Sequence, residues 1–136
     1  MLYVEIVRFL EKIDNHDWFS ENDLYVIIKY GGEIRRTSTK INNDMPKWNE
    51  KFLFSSKSRG DIIVEIWDDD NWSPNNLIKS YSYTLKNITE IKDYKFGSLL
   101  ISIGDVFYSQ NCRYNKLKEE HKCVNEKLDK VKAIFE

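Results

Sequence analysis

Apolar and polar residues alternate along the first two thirds of the chain, which is typical of half-buried β-strands. Leu2, Val4 and Ile6 share one face of a first predicted strand, and the same alternation runs from 24 to 30. Gly31-Gly32 then predicts a two-residue turn that tolerates positive φ, followed by a short return strand. Further strands are predicted around Phe52 and Phe54, from Ile62 to Trp67, from Leu77 to Leu85, around Tyr94, and from Leu99 to Ile103.

These segments give about eight short strands at hairpin-like spacing, with no helical period between them. That pattern favours an all-β fold, an eight-stranded antiparallel β-sandwich or a barrel, over an alternating β-α-β architecture. The predicted β domain covers residues 1–106.

The pattern changes in the C-terminal segment, residues 110–136. Its apolar and near-apolar positions are three and four residues apart: Tyr114, Leu117, His121, Val124, Leu128, Val131 and Phe135. That heptad spacing predicts an amphipathic C-terminal helix. The helix either packs on the sandwich, stays in solution, or pairs through residues 114–135 with a partner helix or a second copy, an arrangement that His121 would weaken.

Composition narrows the class of protein only slightly. The chain has 136 residues, of which 41% are hydrophobic, and this is enough to fill one core. A net charge of −1 gives no reason to expect nucleic acid as a partner. Cys112 and Cys123 are too few for a disulfide framework, and no apolar run approaches the ~20 residues of a membrane helix. We therefore expect a cytoplasmic protein.

Acidic residues collect in two predicted loops. Asp17 and Asp23 lie between the first two strands, and Asp68 and Asp70 follow a strand end. Loops at one end of a sandwich meet in space, and carboxylates that converge repel one another unless a cation lies between them. Ca²⁺ takes six to eight oxygen ligands at flexible geometry and suits such loops. The alternative is that these are ordinary solvated loop acids.

Other chemistries have less support. The second acidic loop lacks the glycine and the final glutamate of an EF-hand, and the cysteines and His121 lack the paired spacing of a zinc site. The sequence contains no nucleophile elbow, P-loop or dinucleotide fingerprint, so we do not expect an enzyme.

Aromatic residues accompany the acids: Trp18 and Phe19 in the earlier loop, and Trp72 in the later one. Tryptophan suits the headgroup zone of a bilayer because its body is apolar and its ring nitrogen is polar. If these loops project outward, the three rings are candidate membrane contacts; otherwise they fold back over the loop base.

Three ordered motifs between residues 2 and 103 resemble the C2 domain, the calcium-dependent lipid-binding β-sandwich. The motifs are Ser20-Glu-Asn-Asp-Leu-Tyr-Val, Pro46-Lys-Trp-Asn-Glu-Lys-Phe-Leu-Phe and Ile66-Trp-Asp-Asp-Asp. Two departures from the family pattern are Leu24 in place of proline and Met45 in place of asparagine.

The resemblance implies a ligand set for one or two Ca²⁺ ions. It consists of Asp17, Asp23, Asp68, Asp70, Ser73 and Asn76, with the backbone carbonyls of His16 and Asp69. Asn76 stands where the family usually has a fifth aspartate, and Lys79 stands where a glycine often follows. Both changes make the site less negative, so we expect weaker binding or fewer ions than in a five-aspartate site.

The resemblance also implies reversible, calcium-dependent docking on anionic phospholipid membranes. Family members often carry a cationic face for phosphoinositides or proteins, and its possible counterpart is Lys29, Arg35, Arg36, Lys40 and Lys51, or else a solvated sheet face. The alternative function is a calcium-independent scaffold that acts through the C-terminal helix.

Overall fold

Eight antiparallel strands form two four-stranded sheets in the computed structural model. It describes residues 1–12, 22–55, 60–70, 72–86 and 88–106. The strands are β1 (Leu2–Phe9), β2 (Leu24–Tyr30), β3 (Glu33–Arg36), β4 (Lys47–Phe54), β5 (Asp61–Asp68), β6 (Asn76–Thr84), β7 (Lys92–Phe96) and β8 (Leu99–Asp105). The predicted eight-stranded antiparallel sandwich is confirmed. The predicted helix at 110–136 and its seam at 114–135 lie outside the described residues.

Each sheet takes two strands from β1–β4 and two from β5–β8, and the two sheets enclose one core. The first sheet has the order β4-β1-β8-β7, and the second has the order β3-β2-β5-β6. The alternating apolar residues point inward from both sheets; among those with no exposed surface are Val4, Ile6, Leu24, Val26, Ile28, Ile62, Val64, Leu99, Ile101 and Ile103. Removing these side chains from water is the main force that holds the sheets together.

The Gly31-Gly32 turn behaves as its sequence predicts. Gly31 has φ 57° and Gly32 has φ 80°, values that match a tight hairpin turn between β2 and β3. The turn fixes the register of the hairpin, in which Tyr30 lies opposite Glu33. This hairpin returns the chain to the end of the sandwich where β2 begins.

A bulge in β4 explains the asparagine of the Trp-Asn-Glu motif. The register on β1 shifts between Ile6 and Arg8, which oppose Glu50 and Lys47, so β4 carries an additional residue there. Asn49 has φ 51°, a left-handed conformation that asparagine adopts more readily than most residues. The asparagine of the motif therefore has a structural role, because it adopts the left-handed conformation at the bulge.

Trp48 and Glu50, on either side of that asparagine, both form hydrogen bonds with Ser38. Trp48 is buried with its ring edge on Phe9 at 5.7 Å, and its Nε1–H donates to the Ser38 carbonyl at 2.8 Å. The Glu50 carboxylate accepts hydrogen bonds from the Ser38 N–H and hydroxyl at 3.0–3.1 Å. The motif thus fixes the start of the loop between β3 and β4.

One glycine in the sandwich is required by close packing. A Cβ on Gly104 would lie 2.5 Å from Ile91 Cα and 2.7 Å from Ile91 N. We expect Gly104→Ala to lower the free energy of unfolding by about 1–3 kcal/mol, because backbone cannot move aside as a flexible side chain can. Urea unfolding followed by tryptophan fluorescence measures the change.

Gly60→Ala is the matched control. A Cβ there would meet nothing within 4 Å, so we expect a change within about 0.5 kcal/mol of zero. Equal stability of the Gly104 and Gly60 variants would show that Ile91 does not cover Gly104 as described.

Candidate functional site

Three loops lie together at one end of the sandwich. The first loop (residues 10–23) enters β2, the middle loop (residues 37–46) leaves β3, and the third loop (residues 69–75) leaves β5. The register brings them together, because Leu24 at the start of β2 lies opposite Asp68 at the end of β5 and forms a bridge with Lys40. Residues 13–21 and 71 lie outside the described part of these loops.

Asp23 lies where the described parts of all three loops meet. Its N–H donates to Asp68 Oδ1 at 2.8 Å, and its carbonyl accepts the Asp69 N–H at 2.8 Å. On the other side, its Oδ1 accepts the Asn42 N–H at 2.7 Å. Asp23 is therefore held by backbone N–H donors of the middle and third loops and by the side-chain carboxylate of Asp68 at the end of β5.

Asp68 and Asn76 face each other across the neck of the third loop. They are cross-strand partners in the pairing of β5 with β6, so their Cα atoms are direct neighbours. The Asp68 carboxylate thus lies against the Asp23 N–H, and Asn76 follows on the neighbouring strand. Lys79 is exposed on β6 opposite Ile66, three residues after Asn76 and further from the loop.

Asp70 turns back onto its own loop. Its Oδ2 accepts the Ser73 hydroxyl at 2.6 Å, and its Oδ1 accepts the Trp72 N–H at 3.1 Å. These bonds, the Ser73 hydroxyl first, hold the pKa of Asp70 below its usual range. Asp70 and Ser73, both predicted ligands, are thus bonded to each other.

Removing the Ser73 hydroxyl should weaken that effect. We expect Ser73→Ala to raise the pKa of Asp70 toward its ordinary value, so that the carboxylate takes up its proton at higher pH. A carbon-detected NMR titration of the side-chain carboxyl in metal-free protein measures the shift. Thr84→Val removes a hydroxyl bonded to Asp61 and should leave the Asp70 titration unchanged. An unshifted Asp70 in the Ser73 variant would contradict the bond between these two side chains.

The donor set of this end suits a hard cation, although the described carboxylates do not surround one point. Carboxylate, hydroxyl and amide oxygens are the ligands that Ca²⁺ takes. Within the described residues, no group of three or more His, Cys, Asp or Glu side chains converges closely enough to hold a metal ion. Asp17 and His16, two of the predicted ligands, lie outside those residues. The Asp69 side chain faces Arg36 at 4.0 Å.

Of the predicted membrane contacts, Trp72 is described. Its side chain is 97% exposed at the tip of the third loop. Such exposure is unusual for tryptophan, which is mostly buried in folded proteins. Trp18 and Phe19 lie outside the described residues.

The five residues of the possible basic face are spread over different elements of the sandwich. Lys29 and Arg36 lie on the outer side of the β3-β2-β5-β6 sheet, whereas Lys51 belongs to β4 in the other sheet. Arg35 points to the opposite side of β3 from Arg36, because successive strand residues alternate. Lys40 lies in the middle loop. Sheet membership depends on long-range pairing that spacing alone does not reveal.

Arg36 has aromatic and acidic neighbours of its own. Its guanidinium lies 3.7 Å from the centroid of the Tyr25 ring, which stacks on Trp67 at 6.3 Å. The Asn75 side-chain amide donates to the Tyr25 hydroxyl at 2.9 Å. Lys29 pairs with Glu65 at 3.3 Å. The bond between Asn75 and Tyr25 connects the outer sheet face to the third loop.

Sequence reasoning missed the middle loop. Asp44 is buried, and its Oδ1 accepts the Asn22 N–H at 2.9 Å, while the Asn43 N–H donates to the Asn22 carbonyl at 2.9 Å. The signal available in the sequence was an aspartate two residues before the Pro-Lys-Trp-Asn motif, but a single acid in a loop forms no periodic pattern.

Among the described residues, no helix is long and apolar enough to span a bilayer.

Comparison with known proteins agrees with this architecture. Human perforin-1 is 32% identical over 65 residues, which are 46% of this chain and 12% of perforin-1. A separately solved C2 domain of plant extended synaptotagmin 1 superposes with a TM-score of 0.65 at 22% identity, covering 75% of this chain and 90% of that one. The calcium-bound pair of C2 domains of extended synaptotagmin 2 superposes with a TM-score of 0.62 at 16% identity, covering 85% and 51%.

The chain thus spans about an eighth of the perforin-1 length, while it matches nearly all of one separately solved C2 domain. The sequence model of the C2 domain matches residues 1–98, most of the described sandwich. The chain therefore belongs to the C2 domain family.

Proposed function

We propose that this C2 domain binds one or two Ca²⁺ ions at its loop end and then docks reversibly on anionic phospholipid membranes. The observation that carries the proposal is Trp72, which is 97% exposed on the loop that also carries Asp70 and follows Asp68. An apolar ring at the tip and oxygen ligands at its base combine a membrane contact with a cation site. The solved calcium-bound domains of extended synaptotagmin 2 support the cation.

The physical mechanism has two steps. Without Ca²⁺, the carboxylates of Asp23, Asp68 and Asp70 repel an anionic surface. On the scale known for basic residues near such membranes, each carboxylate adds about 1 kcal/mol of repulsion. Bound Ca²⁺ neutralises them, and the exposed ring of Trp72 then enters the headgroup zone, where tryptophan is most stable. Trp18, Phe19, Asp17 and the carbonyls of His16 and Asp69 would complete the same site.

The proposed role is binding without catalysis, in a cytoplasmic protein recruited to membranes when Ca²⁺ rises. Asn76 and Lys79 make the site less negative than five aspartates would, so the proposal includes a modest calcium affinity. Calorimetric titration of Ca²⁺ into the chain measures that affinity and the number of ions.

Vesicle co-sedimentation tests the whole proposal. Phosphatidylcholine vesicles with phosphatidylserine are mixed with the full chain in Ca²⁺ or in chelator, and pure phosphatidylcholine vesicles serve as the uncharged control. We expect the chain to bind the anionic vesicles when Ca²⁺ is present and not when it is chelated. Equal binding in chelator and in Ca²⁺, or none in either, would reject calcium-dependent docking and favour the alternative scaffold acting through residues 114–135.

A further inference from the structure

The middle loop exposes its apolar side chains and buries a charged one. Ile41 is 72% exposed and Met45 is 50% exposed, whereas Asp44 between them is 4% exposed. This is the reverse of the usual distribution, in which isoleucine and methionine are buried and aspartate faces water. Isolated exposed apolar residues are ordinary, but two that flank a buried acid in one short loop call for a physical reason.

Hydrogen bonds keep the loop in this arrangement. The Asp44 carboxylate accepts the Asn22 N–H at 2.9 Å, and the Asn43 side chain accepts the Met45 N–H at 2.9 Å. Asn42 has φ 49°, in the left-handed region, and its N–H donates to Asp23 Oδ1 at 2.7 Å. Polar groups of the loop are thus turned toward the protein, and Ile41 and Met45 are left in solvent.

The exposed pair lies at the same end as the candidate cation site. The Asn42 N–H bonds directly to Asp23, which bonds in turn to Asp68 and Asp69 at the base of the third loop. The tip of that loop carries Trp72. In the described residues, the middle and third loops therefore both present large apolar side chains to solvent at the end where Asp23 and Asp68 meet.

We propose that Ile41 and Met45 form a further membrane-insertion point, so that the middle loop enters the bilayer together with Trp72. A bilayer is the occupant that fits, because it accepts apolar side chains from separate loops on one side of a molecule and requires no matching pocket. Lys40, adjacent to Ile41, adds a positive charge that attracts anionic headgroups. This inference rests on the proposed membrane function and extends it to a loop that carries none of the predicted ligands.

The test uses a double variant that combines Ile41→Asn and Met45→Gln. It is compared with the unaltered chain. In Ca²⁺ with phosphatidylserine vesicles, we expect the partition coefficient to fall about tenfold, since partial burial of two apolar side chains is worth roughly 1.4 kcal/mol. Calcium affinity measured without lipid should be unchanged, because Asp23 keeps its bond to the Asn42 backbone.

The control is Ile34→Asn. Ile34 is 61% exposed, like Ile41, but it lies on β3 beyond the loops. It should leave vesicle binding unchanged. If the double variant binds vesicles as well as the unaltered chain, or if the Ile34 variant loses as much binding, the middle loop is not an insertion point. Failure of the unaltered chain to bind vesicles would instead reject the proposed function itself.

Fluorescence gives a second readout that does not depend on affinity. A bimane or similar environment-sensitive label on Met45→Cys should shift to the blue with vesicles and Ca²⁺, and the same label on Ile34→Cys should not. The label signal is read as the difference with and without vesicles, so background from Cys112 and Cys123 is measured on the unaltered chain. An unshifted label at position 45, with vesicles bound, would overturn insertion of this loop.

Discussion

Calcium-dependent vesicle binding should disappear when Asp68 and Asp70 are both replaced by asparagine. Loss of a group that merely supports a ligand costs about 10- to 100-fold in metal affinity, so loss of two ligand charges should weaken Ca²⁺ binding more than about a hundredfold. The remaining vesicle binding in Ca²⁺ should equal that in chelator. Calorimetry and co-sedimentation measure the two effects separately.

The double variant should still fold, because asparagine keeps an oxygen at each position. The amide oxygen at 68 can accept the Asp23 N–H, and the one at 70 can accept the Trp72 N–H. The Ser73 hydroxyl can rotate to accept from the new amide. Circular dichroism and the unfolding midpoint check this point.

Asp61→Asn with Asp93→Asn is the matched control. It removes the same two negative charges, and each of these carboxylates also accepts a hydroxyl hydrogen bond at 2.6 Å. Asp61 begins β5, at the end opposite the loops, and Asp93 belongs to β7. Calcium binding should survive in this variant. Loss in both variants would mean that overall charge, and not the loop site, controls binding.

The largest expected change in stability comes from Phe54→Ala. Phe54 has no exposed surface, lies opposite Leu2 in the β1–β4 pairing, and meets the Tyr30 ring edge-on at 5.9 Å. The Arg35 guanidinium lies 5.4 Å from its ring centroid on another side. Truncating a buried phenylalanine costs about 3–5 kcal/mol, a large part of the ~5–15 kcal/mol that stabilises a typical domain.

Phe54→Leu is the companion variant, since it keeps most of the side-chain volume and should cost less than about 1.5 kcal/mol. Urea unfolding at equilibrium, followed by tryptophan fluorescence, measures both. A loss below about 1 kcal/mol for the alanine variant would mean that the ring is not enclosed between the sheets.

Period-two alternation predicted most of the sandwich correctly. Leu2, Val4 and Ile6 are predicted to share one face of the first strand, and all three are buried. Local pattern could not give the strand order, because the placement of β1 between β4 and β8 depends on contacts far apart in sequence. It also gave no hint that Tyr3, on the outer face, is buried against Ile91, Val106 and Leu53. That burial, with the adjacent Glu5 carboxylate, raises the pKa of Tyr3.

The candidate site was predicted in part. Successive residues of an extended strand point to opposite sides, and in the structure Asp68 and Asp69 meet Asp23 and Arg36 respectively. Spacing could not show that the Asp70 carboxylate bonds to Ser73 within its own loop. Nor could it show that Asn42 approaches Asp23, because that contact joins two loops through a backbone N–H.

The way in which Asp23 is anchored has a consequence for protein engineering. Asn22 and Asp23 are fastened to the middle and third loops by at least five hydrogen bonds, to Asn42, Asn43, Asp44, Asp68 and Asp69. At the other end of the first loop, Lys12 lies 3.8 Å from Asp44. Redesign of the first loop should therefore leave Asn22 and Asp23 unchanged, because replacing either would disturb the middle and third loops as well.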